Sequence, residues 1–357
     1  MNKRKVDLPI GLRSGFFAPV ALVCLWFTMA GCMDTKETRM QRHLIQGNDL
    51  VSKHQPEQAE RHFKEALKLD SCFADAWNNL GTLYFSQRKY DAALEHYDRA
   101  VACRPDYVPS YFNRANARYE LKEYYAALED VKKIRARKPD TAAVYFMEGL
   151  VYTRLRDFDK AIAAFEGARE RDPKNGEILV NLGTVRFYQR DFKAAREKLE
   201  QALTSGSGTA NAYNALAMIS VEESNLTAAR EYLDKALALL PNDAYFINNR
   251  GYLYLLEGNL DKAREDIDRS IAVDPYNGWA YRNKGLYYLK TNKHADAIRL
   301  LTQAEGLDPF IDKLYGYLGD AYAAQGDVNR ACTYYKKALE RHEIDPTILS
   351  KKGCTKS

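Results

Sequence analysis

Residue types able to do covalent or metal chemistry are thinly spread along this 357-residue sequence. Its six cysteines are Cys24, Cys32, Cys72, Cys103, Cys332 and Cys354, and no two form a C-x-x-C pair or a Cys/His zinc pattern. The six histidines (His43, His54, His62, His96, His294, His342) are scattered and read as helix-surface residues. There is no G-x-S-x-G elbow, no H-E-x-x-H pair and no phosphate-binding glycine loop. The chain therefore reads as a non-enzyme with no metal and no cofactor. What does recur is amide chemistry. Asn79, Asn113, Asn181, Asn249 and Asn283 are separated by 34 residues or by twice 34. An asparagine amide both donates and accepts, so a row of them can pair with successive peptide units of an extended ligand.

The same period governs the elements that must hold those amides. Between Ala74 and Tyr107 the sequence places Trp77, Leu80, Gly81, Tyr84, Ala93, Tyr97, Ala100 and Pro105 at positions 4, 7, 8, 11, 20, 24, 27 and 32 of a 34-residue unit. Positions 4 and 11 lie two helical turns apart, so Trp77 and Tyr84 share one stripe of a first helix. Gly81 and Ala93 lack bulk, which lets two antiparallel helices approach closely. Pro105 stops the second helix. One such hairpin cannot bury its own apolar face, whereas stacked neighbours can.

This spacing is similar to that of the tetratricopeptide-repeat (TPR) family. The frame gives nine units starting at residues 40, 74, 108, 142, 176, 210, 244, 278 and 312, which cover residues 40–345 without insertion. Position 20 is alanine in all nine, and position 8 is glycine in seven, with Ala115 and Ala217 as exceptions. Position 32 is proline in six; Ser71, Ser207 and Glu343 replace it. The resemblance implies an all-α fold, a right-handed superhelical solenoid of nine helical hairpins with a concave groove. Thr204-Ser205-Gly206-Ser207-Gly208 between units five and six reads either as an ordinary loop or as a hinge. Residues 346–357 form a C-terminal tail too short for another unit.

In this family the groove is lined by first-helix positions 2, 5, 6, 9, 12 and 13. That puts the five asparagines there, at position 6, where they resemble the asparagine ladder of some TPR grooves. The alternative is that Asn-Leu-Gly and Asn-Arg-Gly are ordinary repeat wording. Phe85, Phe112, Tyr119, Phe146, Phe187, Tyr188, Tyr245, Tyr252 and Trp279 fall at groove positions too. Aromatics supply contact area with little rotamer entropy to lose, although some of these pack between repeats instead. Arg282, Lys290 and Lys313 read as a solvated helix face, because Leu286 occupies the place where a carboxylate clamp needs asparagine.

Lys3, Arg4, Lys5 and Arg13 precede an apolar run from Phe16 to Ala30, which reads as a secretory signal over residues 1–31. Met29-Ala30-Gly31-Cys32 resembles the lipobox of bacterial lipoproteins, in which the cysteine is lipidated. That resemblance implies a cell-envelope protein held by acyl chains at Cys32, with the outer membrane the expected address because Met33 follows. Residues 32–39 are expected to be a short linker, its seven residues after Cys32 reaching at most roughly 25 Å. Losing Lys3, Arg4, Lys5, Arg13 and Asp7 takes the net charge from +5 to +2. With no basic run interleaved with aromatics, nucleic acid is not an expected partner.

Export permits disulfides. In the repeat frame, Cys332 lies mid-way along the last second helix, level with Cys354 if the tail folds back. Cys72 and Cys103 flank the second hairpin, whose antiparallel packing brings its ends together. Both pairs are candidate bridges; the alternative is small buried thiols. The function expected is an envelope lipoprotein scaffold binding partner proteins or extended segments in its groove. It is similar in architecture to outer-membrane TPR lipoproteins of pilus and secretin assembly or of cell-wall hydrolase recruitment. The rivals are a glycan- or small-ligand-binding module and an accessory subunit of an envelope enzyme complex.

Overall fold

A computed structural model describes residues 35–137 and 141–345, together with Thr347, Leu349, Gly353 and Cys354. The expected signal segment, residues 1–31, and the expected lipidation site Cys32 lie outside the described residues. Among those described there are eighteen helices and no strand. They run as antiparallel pairs: α1 (Lys36–Ser52) with α2 (Pro56–Leu69), α3 (Ala74–Ser86) with α4 (Tyr90–Cys103), and α5 (Val108–Glu120) with α6 (Tyr124–Arg135). Next come α7 (Ala142–Arg154) and α8 (Phe158–Arg171), α9 (Gly176–Tyr188) and α10 (Phe192–Ser205), and α11 (Thr209–Glu222) and α12 (Leu226–Leu239). The last three pairs are α13 (Ala244–Leu256) with α14 (Leu260–Val273), α15 (Gly278–Lys290) with α16 (His294–Leu307), and α17 (Leu314–Ala324) with α18 (Val328–Glu340). The chain divides into two compact units, Met1–Asn113 and Arg114–Ser357. Among the described residues no helix is long and apolar enough to cross a membrane.

The repeat frame has a steric cause. All nine position-20 alanines are buried, the most exposed being Ala331 at 2%. A Cβ built on Gly81 would sit 2.5 Å from the Tyr97 ring, and one on Gly319 would sit 2.4 Å from Tyr335. Glycine at position 8 thus makes room for the large side chain at position 24 of the partner helix, and burying such a side chain contributes about 1.5–3 kcal/mol. Second helices start where the chain supplies an acceptor: Asp157, Asp191, Asn225, Asn259 and Asp327 each accept a backbone N–H of the first turn. The hairpin turns all pass through positive φ, at His54, Arg88, Lys122, Arg156, Arg190, Ser224, Gly258, Asn292 and Gly326. Only two of these are glycine, and the others carry the cost of a left-handed backbone.

Two boundaries differ from the sequence reading. Helix α1 begins at Lys36, so half of the expected linker is helical, started by the Thr35 side chain accepting the Thr38 N–H. Helix α17 begins two residues late, after Lys313 in a left-handed conformation that offers no side-chain cap. The Glu343 carboxylate does the capping instead, accepting the N–H groups of Tyr315 (3.0 Å) and Gly316 (3.1 Å). At Ser205–Gly208 both glycines have positive φ, and Ser207 Oγ accepts the Gly176 N–H at 2.6 Å. That loop is pinned to the start of α9, which favours the ordinary-loop alternative over the hinge.

Disulfides join Cys72 to Cys103 and Cys332 to Cys354, with Cα–Cα distances of 5.2 and 5.3 Å. The first ties the entry of α3 to the exit of α4. The second brings buried Cys354 back onto α18, beside partly buried Leu349.

Candidate functional site

Within the larger unit, the 34-residue repeat sets equivalent faces of α9, α11, α13 and α15 side by side. They enclose a cavity of about 430 Å³. Its walls are Asn181, Phe187 and Tyr188 from α9, Asn214 and Met218 from α11, Tyr245, Asn249 and Tyr252 from α13, and Trp279 and Arg282 from α15. Seven of the sequence-derived candidates therefore converge: Asn181, Phe187, Tyr188, Tyr245, Asn249, Tyr252 and Trp279. Tyr245 is 48% exposed and Tyr252 is buried. Burial pushes the Tyr188 phenol up, so it stays a neutral donor and acceptor.

Other candidates pack elsewhere. Phe146 lies edge-on against Phe165, and Tyr119 against Tyr124. Asn79, Asn113, Phe85 and Phe112 belong to the smaller unit, where Phe85 packs on Tyr90.

The asparagines need correcting as a free ladder. Asn249 Nδ2 donates to Asn214 Oδ1 at 2.8 Å, Asn283 Nδ2 to Asn248 Oδ1 at 2.9 Å, and Asn113 Nδ2 to Asn78 Oδ1 at 2.9 Å. In each case position 6 ties itself to position 5 of the preceding repeat. Asn79 donates to Asn48, and Asn181 to the Glu177 carbonyl. Asn283 is fully buried. A polar amide near a repeat junction finds its partner in the next helix sooner than in a ligand, because leaving it unpaired costs about 1–3 kcal/mol.

Arg282 is a second correction. Far from solvated, it is 3% exposed. Its guanidinium donates to Asn283 Oδ1 and to the Asp312 carbonyl, and lies 4.7 Å from the Tyr252 ring centroid and 5.0 Å from that of Trp279. Cation–π contacts and carbonyl dipoles take the place of water around it.

One wall comes from far along the chain. The segment Leu307–Lys313 turns back over earlier repeats: Lys313 Nζ meets Glu222 at 2.7 Å, and Arg190 bridges Glu222 (2.6 Å) and Asp312 (3.4 Å). Arg154 faces Asp308 at 4.0 Å, and Lys122 donates to the Leu307 carbonyl. Burial pushes the Glu222 carboxyl up, but Lys313 and Arg190 outweigh it and hold it below the usual carboxylate range. No sequence signal marks these residues, whose partners lie as far as 185 positions away.

Tetratricopeptide-repeat family models match residues 45–108, 112–176, 180–244 and 282–347, and another matches residues 232–265. No curated protein matches the sequence. Among solved structures, a chain of the APC/C hetero-tetramer Cut9–Hcn1 is 17% identical over 89% of this chain, with a TM-score of 0.60. This chain covers 62% of its length. Pseudomonas aeruginosa PilF is 18% identical, covering 59% of this chain and 96% of its own, with a TM-score of 0.50. At these identities the likeness is one of fold.

Proposed function

Because the chain belongs to the tetratricopeptide-repeat family, a protein-interaction scaffold fold, we propose that it is a cell-envelope lipoprotein that holds a partner protein through its inner cavity. The single observation carrying the binding half is the cavity of about 430 Å³, lined by aromatic side chains and by the buried Arg282. Its size and its closure by Leu307–Lys313 favour one short apolar or aromatic segment over a long extended peptide. Tyr245 supplies an accessible anchor, and Trp279 a half-buried one. The envelope half rests on the basic start, the apolar run and the Met29–Cys32 pattern. Outer-membrane placement follows from Met33 by family analogy, and pilus or secretin assembly and cell-wall hydrolase recruitment are the two jobs such proteins perform.

A small-ligand or glycan module is the second reading. The cavity lies within the roughly 300–1,000 Å³ of small-molecule sites, and its rings can stack on a sugar face. The discriminating experiment places a photo-crosslinking side chain at Tyr245 or at Tyr125, which is 76% exposed and does not line the cavity. In intact envelopes the scaffold reading gives one protein adduct from position 245 and none from 125. Trp279→Ala should then weaken that partner about thirtyfold, and Cys32→Ala should leave the precursor uncut and remove acyl labelling. Equal adducts from both positions, or ligand capture without protein, would overturn it.

A further inference from the structure

In the first hairpin, positions 4 and 23 are both histidine, and their rings meet across the two helices. His43 Nδ1 on α1 lies 3.1 Å from His62 Nδ1 on α2, with ring centroids 5.3 Å apart. In the next hairpin the same two positions hold Trp77 and His96, whose rings stack at 5.5 Å. There the slot serves packing. In the first hairpin it sets two nitrogens facing each other, and both side chains are partly exposed.

Two neutral imidazoles in this arrangement share one Nδ1 proton, one donating and the other accepting. When the donor shifts its proton to Nε2, both Nδ1 lone pairs are free, and a small ring rotation aims them at one point. Two nitrogen ligands at about 2.05 Å from an ion sit about 2.9 Å apart at a right angle and about 3.3 Å apart at the tetrahedral angle. The observed 3.1 Å falls between these values. The Glu65 carboxylate, on the same face as His62, is paired with Lys68 at 2.6 Å. Among the described residues no group of three ligands is assembled, so water completes any coordination here.

We propose that His43 and His62 form a two-histidine site for a borderline first-row divalent ion of the nickel, copper and zinc class. Imidazole nitrogen selects these ions over magnesium and calcium, which prefer oxygen. The bound ion clamps α1 to α2 within the first hairpin. Nineteen residues separate the two histidines, so no short motif announces them.

The test is isothermal titration of the full chain, without a histidine tag, with Ni²⁺ alone. The site predicts one ion per chain, undisturbed by excess Mg²⁺, and binding at least about tenfold weaker in His43→Ala and in His62→Ala. His96→Ala, which removes an imidazole with no facing nitrogen, should bind as the wild type does. His43→Gln keeps a polar side chain at the slot and controls for folding, with an unchanged melting curve and the same loss of Ni²⁺. Binding that survives both single substitutions overturns the site, as does equal competition by Mg²⁺ or no heat at up to about 1 mM Ni²⁺.

Discussion

In the third hairpin a charge replaces a leucine inside the fold; in the ninth a carboxylate replaces a proline at its edge. Arg114 occupies the position held by Leu80, Leu182, Leu216 and Leu318 in four other repeats. Its Nε and Nη2 grip Asp130 at 2.9 and 2.6 Å, and Arg118 adds a third bond at 2.7 Å. Asp130 is wholly buried. Glu343, by contrast, stands in a proline's place and reaches the open N–H groups of α17. Desolvating Arg114 and Asp130 costs several kcal/mol per ion, regained only while all partners stay in place. The ninth hairpin has unmet needs at its end, so its carboxylate and its disulfide serve as a cap. A substituted residue inside a repeat has to be matched by its neighbours, whereas one at the end can meet backbone groups that nothing else covers.

The largest expected effect breaks the inner half of this comparison. Asp130→Ala removes the buried carboxylate that both Arg114 and Arg118 hold and should cost about 3–5 kcal/mol, read from urea unfolding followed by circular dichroism. Replacing Arg114 and Asp130 together by leucine should recover most of that loss, because a packed apolar pair avoids the desolvation. A double variant as unstable as Asp130→Ala would show that the ion cluster itself is needed.

Next in size is the edge. Cys332→Ser opens a bridge spanning 22 residues and should cost about 3 kcal/mol locally. Limited proteolysis should then cut the tail at rates that reductant no longer changes, while α1 to α16 keep their resistance. Protection equal to that of the oxidised wild type would mean that the bridge does not hold the cap.

The smallest effect sharpens the role of Glu343. Burial, with Asp312 adding, pushes its carboxyl up to about 7 from the ordinary 4.5, against the opposing pull of the Gly316 and Tyr315 N–H groups and of Arg341. A folded-state value above the unfolded one means that the folded chain holds the proton longer. This contribution to stability is full below about pH 4.5 and is lost as pH rises through about 7. Melting of the last hairpin should therefore move down between those pH values in the wild type and lose that dependence in Glu343→Gln. An unchanged slope in the variant would assign the dependence to another group.

Much of the fold was legible without coordinates, since the alanines of position 20 and glycines of position 8 record a contact between two helices of fixed spacing. A steric requirement that recurs every 34 residues leaves a periodic trace, and helix ends follow from it to within a few residues. The candidate site was legible only in part. Phe187, Tyr188, Tyr245, Tyr252 and Trp279 could be placed on the inner face because the resemblance to the tetratricopeptide-repeat family implies which first-helix positions line it. What the asparagines bond to could not be read, because the same amide serves a ligand or the next helix according to which is nearer.

The sequence by itself determined the repeat, the pairing of helices and the places where the pattern lapses, because those depend on contacts within one unit or between adjacent units. Only the tertiary structure decided that Asn249 and Asn283 tie repeats together, that Arg282 lies under aromatic rings, and that Leu307–Lys313 closes over Arg190 and Glu222. These arrangements depend on how far each repeat rotates against the last. Small rotations add up along the chain, and no single unit's sequence carries that sum.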